Sequence, residues 1–180
     1  MMDCKSMATP MMMNLKKLSS VVVESDLIDP MIYRQLAGSL MYPVNTRLDI
    51  CFAVSMLGQF MCEPRQMHWV AAKHTLRYLH GTIGYLLRYT SSSDMRLVGY
   101  SDSDWVGSVE DSKSTFGCCF SLGSAMVSWF SRKQSSVALS TAKAEYIAAC
   151  MAAREVVWHQ KLLASLFGQR LEPTVIHCDN

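Results

Sequence analysis

The stretch RLVGYSDSDW, residues 96–105, decides how the chain reads. Leu97, Val98 and Tyr100 favour a strand. Two carboxylates follow, Asp102 and Asp104, two positions apart. Side chains at i and i+2 leave the same face of a strand, so both acids are expected to point the same way. Like charges on one face repel, and a buried carboxylate without a partner is costly. In one outcome, one acid caps the turn at 105–107 and the other is solvated. In the other, at least one acid helps to hold a divalent cation, with further carboxylates from elsewhere. The stretch alone favours the first outcome.

Towards the C-terminus, residues 105–115 form a polar turn region. TFGCCFSLG (115–123) and SAMVSWFSRK (124–133) are two more strand candidates, joined tightly at residues 122–124. Three antiparallel strands in succession make a meander. Ser140 is a natural N-cap for a long helix over 141–167, which Gly168 closes. Ala144, Ala148, Met151, Trp158, Leu162 and Leu166 suggest its packed side, and Glu145 falls in its second turn. PTVIHCDN (173–180) is a β-branched strand that ends in Asp179. A strand after a long helix implies a crossover and parallel pairing with an earlier strand. Pairing with residues 96–105 would set Asp179 beside Asp102. The expected class is therefore α/β with a mixed sheet. Asp102, Glu145 and Asp179, converging from three elements, would be unstable without a cation. Two Mg²⁺ ions held there can activate a water and stabilise a leaving oxygen in phosphodiester cleavage. A chain with 15 acids supplies three separated ones by chance, so the spacing alone is weak evidence.

Towards the N-terminus, residues 1–28 are Met-rich, lack periodicity and read as a poorly ordered lead-in. Asp29-Pro30 starts a helix whose stripe is Ile32, Leu36 and Leu40, and Pro43 ends it. Thr46 can cap a second helix over 48–61, with Ile50, Val54, Leu57 and Met61 inward. A third helix over 65–79 stops at Gly81, with Trp69, Ala72, Leu76 and Leu79 as its apolar face. Its Lys73 and Arg77 suit phosphate contacts and equally suit a solvated face. His68, His74 and His80, spaced by six and without Cys partners, read as surface histidines. Residues 85–89 are a strand candidate and 91–94 a loop. A mainly helical region over 29–90 thus precedes the α/β part at 95–180.

Half of the 180 residues are hydrophobic, enough to build a core. A formal charge of +2 neither demands nor excludes a nucleic-acid partner. No run of 18 apolar residues suggests a membrane span, and no basic segment followed by an apolar core suggests a signal peptide. Seven Cys, an odd number without CxxC spacing, fit a reduced intracellular chain (cytoplasm or nucleus) with buried thiols.

The motifs YRQLAGSLMY, TRLDICFAVSMLGQF and HWVAAKHTLRYLHGT, then GYSDSDWVG, KSTFG, SWFSRKQSSVALST, AEYIAA and HCDN, occur in this order and spacing. Together they resemble the reverse transcriptase connection region and ribonuclease H domain of copia-type (Pseudoviridae) retrotransposon Pol polyproteins. The resemblance implies a ribonuclease H-like fold. It implies Mg²⁺ in a two-metal site, with Asp102, Glu145 and Asp179 as the catalytic, metal-binding positions and Asp104 as a secondary acid. It implies hydrolysis of the RNA strand of an RNA–DNA hybrid. No YxDD motif is present, so polymerase activity is not expected.

Some residues depart from that pattern. Lys143 stands where the family commonly has Glu, which removes a capping box with Ser140 and sets a cation at the positive helix end. Leu48, Val106 and Ser112 replace the family's usual Pro, Ala and Arg. The family's further helix, fifth strand and fourth acid would follow Asn180. The chain therefore reads as a C-terminally truncated ribonuclease H-like domain with impaired cleavage. An open edge at 173–179 would favour self-association. The alternative reading is an inactive or repurposed fragment that binds nucleic acid or protein through Lys73, Arg77, Arg132 and Lys133. In both readings Trp105 and Trp129 are expected in the core rather than as stacking platforms.

Overall fold

A computed structural model describes residues 4–12, 18, 26–90, 95–108, 111–168 and 172–178. Contacts divide the chain into two units, Met1–Leu86 and Leu87–Asn180. The expected loop at 91–94 and part of the expected lead-in lie outside the described residues.

In the first unit, helix α1 spans Pro30–Met41. Asp29 caps it by accepting the Met31 N–H at 2.8 Å, and Pro30 occupies the first turn. Its buried Tyr33 donates a hydroxyl hydrogen bond to the Leu57 carbonyl at 2.9 Å. Two short 3₁₀ turns follow, at Pro43–Asn45 and Leu48–Ile50, before α2 at Cys51–Gly58. The second helix is thus shorter than the expected 48–61. Thr46 bonds back to the Pro43 carbonyl instead of capping it. Arg47 grips Asp49 through both carboxylate oxygens, at 3.0 and 2.8 Å, which holds the entry in a tight turn.

Helix α3 spans Gln66–Gly81 and buries His68, Ala71, Ala72, Thr75 and Tyr78. The expected Trp69, Leu76 and Leu79 are only partly buried beside that row. His68 corrects the reading of three surface histidines. Its Nδ1 accepts the Arg65 N–H at 2.9 Å, its Nε2 lies 2.9 Å from the Leu18 carbonyl, and its ring stacks on Phe60. Both ring nitrogens are thereby satisfied, so burial leaves neither unpaired.

Within the expected lead-in, residues 4–12 lie against α3. Arg77 donates to the Lys5 carbonyl at 2.7 Å, Thr75 donates to that of Pro10 at 3.0 Å, and His74 meets that of Thr9 at 2.9 Å. Met11 joins the core of α1, α2 and α3. Polar side chains on α3 satisfy the segment's carbonyls, a signal that residue periodicity does not carry.

In the second unit, β1 (Leu97–Ser103), β2 (Thr115–Leu122) and β3 (Ala125–Lys133) form an antiparallel meander. Helix α4 (Thr141–Phe167) then crosses over, and β4 (Val175–Cys178) pairs parallel to β1. The sheet order is β3-β2-β1-β4. The described residues are therefore α/β, with a mixed four-stranded sheet and four α-helices. Ser140 caps α4 by accepting the Lys143 N–H at 3.2 Å. Gly168 ends it with φ of 67°, a left-handed conformation that a Cβ would strain.

Helix α4 lies on one sheet face, with Ala148, Ala152 and Val156 against Leu97, Phe116, Cys118 and Phe120. The buried row runs Ala144, Ala148, Ala152, Val156, His159. Trp158 and Leu166, expected inward, are 55% and 66% exposed. Trp158 sits two residues from Val156 and so points roughly 200° away around the helix. The strand expected at 85–89 is also absent: these residues form no ladder. Instead Tyr89 donates its hydroxyl to the Met126 carbonyl and Thr90 its N–H to Ser124 Oγ. All seven cysteines are free, and Cys118 is buried. Cys62, Cys150 and Cys178 are exposed, against the expectation of buried thiols. No helix among the described residues is long and apolar enough to cross a membrane.

Candidate active site at the end of the first strand

Strand β1 alternates. Leu97, Gly99 and Ser101 are buried beneath α4, and Tyr100 and Asp102 are exposed. Asp102 accepts the Ser103 N–H at 2.7 Å and remains open to solvent. Asp104 does not continue the alternation, because the strand ends at Ser103. Its carboxylate turns into the β1–β2 connection and accepts the Thr115 N–H, while its own N–H donates to the Thr115 carbonyl at 3.0 Å. The same carboxylate fills the space that a Cβ on Gly107 would need. The expectation that both acids point the same way is therefore corrected: Asp104 builds the turn. Burial pushes its carboxyl above the usual range, the Thr115 N–H pulls the other way, and Asp102 adds to the rise.

The second candidate, Glu145, lies in the second turn of α4 and is half-buried. A side chain that sequence reading did not single out links it to β1. Gln134, immediately after β3, is 3% exposed. Its Nε2 donates to the Ala144 carbonyl at 2.9 Å and to Ser103 Oγ at 3.4 Å. Its backbone N–H donates to the Ser114 carbonyl at 2.8 Å. One amide thus touches the residue after Asp102 and the residue before Glu145. The third candidate, Asp179, lies outside the described residues. The described β1–β4 register ends at Ser101 opposite Cys178.

Carboxylate oxygens are the ligands that Mg²⁺ takes, so the donor chemistry of Asp102 and Glu145 fits that ion. No group of three or more His, Cys, Asp or Glu able to hold a metal occurs among the described residues, which exclude Asp179.

The basic candidates differ in how they are engaged. Lys73 is exposed, with its ammonium 4.8 Å from the Trp69 ring centroid. Arg77 is committed to the Lys5 carbonyl. Arg132 is exposed over the Phe130 ring, and Lys133 pairs with Asp111 at 3.0 Å. Trp105, expected in the core, is 52% exposed and donates its indole N–H to the Ala138 carbonyl at 3.3 Å. Trp129 is half-buried.

Comparison with known proteins decides the ancestry. The chain is 39% identical over 180 residues to the retrovirus-related Pol polyprotein from transposon RE2 of Arabidopsis thaliana. It is 38% identical over 185 residues to that from transposon TNT 1-94 of Nicotiana tabacum. It is also 46% identical over 127 residues to secreted RxLR effector protein 161 of Plasmopara viticola. The chain belongs to the copia-type retrotransposon Pol family.

The matches to the RE2 and TNT 1-94 polyproteins cover all of this Pol-family chain but only 12% and 14% of those proteins. The match to the effector covers 70% of this chain and 89% of the effector. No protein-family model matches the chain, and no solved structure matches it. Within this Pol-related sequence, Gln134 lies inside the motif SWFSRKQSSVALST. Gln134 could have been noticed as an amide flanked by cation and serines, yet its two acceptors lie 31 and 10 residues away.

Proposed function

We propose that this Pol-family chain carries a ribonuclease H-like domain whose chemistry is Mg²⁺-dependent hydrolysis of the RNA strand of an RNA–DNA hybrid. One observation carries the reading. With β1 and β4 parallel and α4 as their crossover, Gln134 ties Ser103 at the end of β1 to Ala144 in the first turn of α4, the residues next in sequence to Asp102 and Glu145. Asp102, Glu145 and Asp179 would hold the metal through carboxylate oxygens. Bound Mg²⁺ would supply an activated water and offset charge on the leaving oxygen.

The remaining roles fall to the chain itself. Asp104 fixes the turn after Asp102 by its two bonds to the Thr115 backbone. Asp102, solvent-facing and tied by one local N–H, is accessible to a polyanionic substrate only if a cation offsets its charge. Of the four basic candidates, Lys73 and Arg132 are exposed for phosphate contact, and Lys133 would first have to leave Asp111.

The test is hydrolysis of a labelled RNA–DNA hybrid by residues 1–180 with Mg²⁺, beside Asp102→Asn. Cleavage by the parent and a loss of at least a hundredfold in the variant is the expected result. Equal cleavage by both, or none by a folded parent, would sink the reading.

The likeness to secreted RxLR effector protein 161 shows that most of a protein so named matches a Pol-related sequence, and we propose as a second reading that this chain serves by binding and without cleavage. Hybrid binding that survives Asp102→Asn without turnover in either protein would favour it.

A further inference from the structure

Gln134 is buried, a polar side chain 3% exposed. Its side-chain amide joins two segments that sequence separates, the end of β1 through Ser103 Oγ and the first turn of α4 through the Ala144 carbonyl, while its backbone N–H bonds to the Ser114 carbonyl just before β2. The two Nε2 contacts need two hydrogens on one nitrogen. A Glu in the same place has none, and an apolar residue satisfies neither acceptor. The Gln134 Oε1 is buried with no partner among the described residues. With Oε1 unpartnered, what this amide contributes there is its two donors.

Gln134 acts on the residues beside the two candidate acids. Ser103 follows Asp102 and itself donates its N–H to the Asp102 carboxylate. Ala144 precedes Glu145. A shift of either contact moves the backbone from which one carboxylate projects, and metal geometry tolerates little displacement.

We infer that Gln134 is the positioning residue of the candidate metal centre: its amide sets the separation of the Asp102 strand end from the Glu145 helix turn. The inference rests on the ribonuclease H-like reading above and deepens it. Gln134 touches neither metal nor substrate in this role, so its effect is indirect.

Two readouts on the full chain separate the claims. The first is backbone hydrogen exchange in Gln134→Met and Gln134→Glu without metal. Exchange is expected to quicken about tenfold at residues 101–104 and 141–148, with β2 and β3 retaining protection. The second is Mn²⁺ titration by electron paramagnetic resonance, with Asp102→Asn as the reference for site-specific binding. Both variants are expected to weaken the Asp102-dependent Mn²⁺ affinity at least tenfold while retaining a cooperative melt. Gln134→Asn, one methylene shorter, is expected to recover part of the affinity. Unchanged exchange at both segments overturns the positioning claim whatever the metal does. Local exchange changes with unchanged Mn²⁺ affinity overturn it as well. A parent chain that binds no Mn²⁺ through Asp102 overturns the functional reading itself, and the exchange data then define Gln134 as a structural tie only. If Gln134→Met fails to fold, Gln134→Asn carries both measurements.

Discussion

Two side chains on the same unit show how a residue's type is explained by its neighbours. Asp104 and Asp102 are identical, exposed and two apart, yet one bonds across a turn to Thr115 and the other only to its neighbour Ser103, because the strand stops between them. The sequence offers a turn-capping acid and a solvated acid together as one outcome but does not say which is which, since the deciding partner, Thr115, lies across the β1–β2 connection. His159 was not singled out at all. It is 6% exposed, its ring sits 5.0 Å from that of Phe120, and its Nε2 has no partner among the described residues. Burial holds its pKa below the ordinary value, with Glu155 opposing. The unfolded imidazole binds protons more readily than the folded one. Stability is therefore full above the unfolded value of about 6.5 and falls as pH drops through the interval down to the folded value. Thermal melts of the chain at pH 7.5 and 5.5 are expected to show a loss in the parent that His159→Leu largely removes. A parent and variant that respond alike to pH would contradict this.

At the scale of elements, local chemistry was the most legible. Helix α4 begins at Ser140 and ends at Gly168 as cap rules require, because both signals lie in the sequence beside the residues they act on. Strand β4 follows from β-branched residues after a crossover. What failed was the choice of buried face. Large apolar residues drew the reading to Trp158 and Leu166, whereas a helix lying close on a sheet presents Ala144, Ala148 and Ala152. The strand expected at 85–89 also failed: its aromatic residues suit a strand, but Tyr89 and Thr90 meet Met126 and Ser124 through the Tyr89 hydroxyl and the Ser124 side chain and not through a backbone ladder. The start of α4 is a place to improve the element. Ser140→Ala is expected to cost about 0.5–2 kcal/mol by leaving the Lys143 N–H uncapped. Lys143→Glu is expected to stabilise by about 0.3–1 kcal/mol, replacing a cation at the positive helix end and offering a reciprocal cap. Urea titrations of the two variants, with unchanged slope, would measure both.

At the scale of the molecule, each unit has a core of its own, one around Tyr33, Leu40 and Leu57 and one around Phe116 and Phe120. The first is closed by a polar network. Arg47 binds Asp49 and the Thr82 hydroxyl and carbonyl, and Tyr78 donates to Asp49 at 2.6 Å. Arg47 holds the Asp49 carboxyl below its ordinary range, as expected for an acid paired this way. Asp49→Ala would leave a guanidinium and a phenol without their acceptor, at about 1.5–3 kcal/mol. Hydrogen exchange is expected to quicken across α1, α2 and α3 and to remain unchanged in β1–β3. Uniform loss of protection through both units would contradict separate cores.

The central claim is that Asp102 and Glu145 share a metal. The most direct measurement is a crystal structure of the chain with Mn²⁺, read by anomalous scattering at the manganese edge. The account predicts an anomalous peak coordinated by carboxylate oxygens of both Asp102 and Glu145. A well-ordered site with no peak between them, or a peak held by other residues alone, would contradict it.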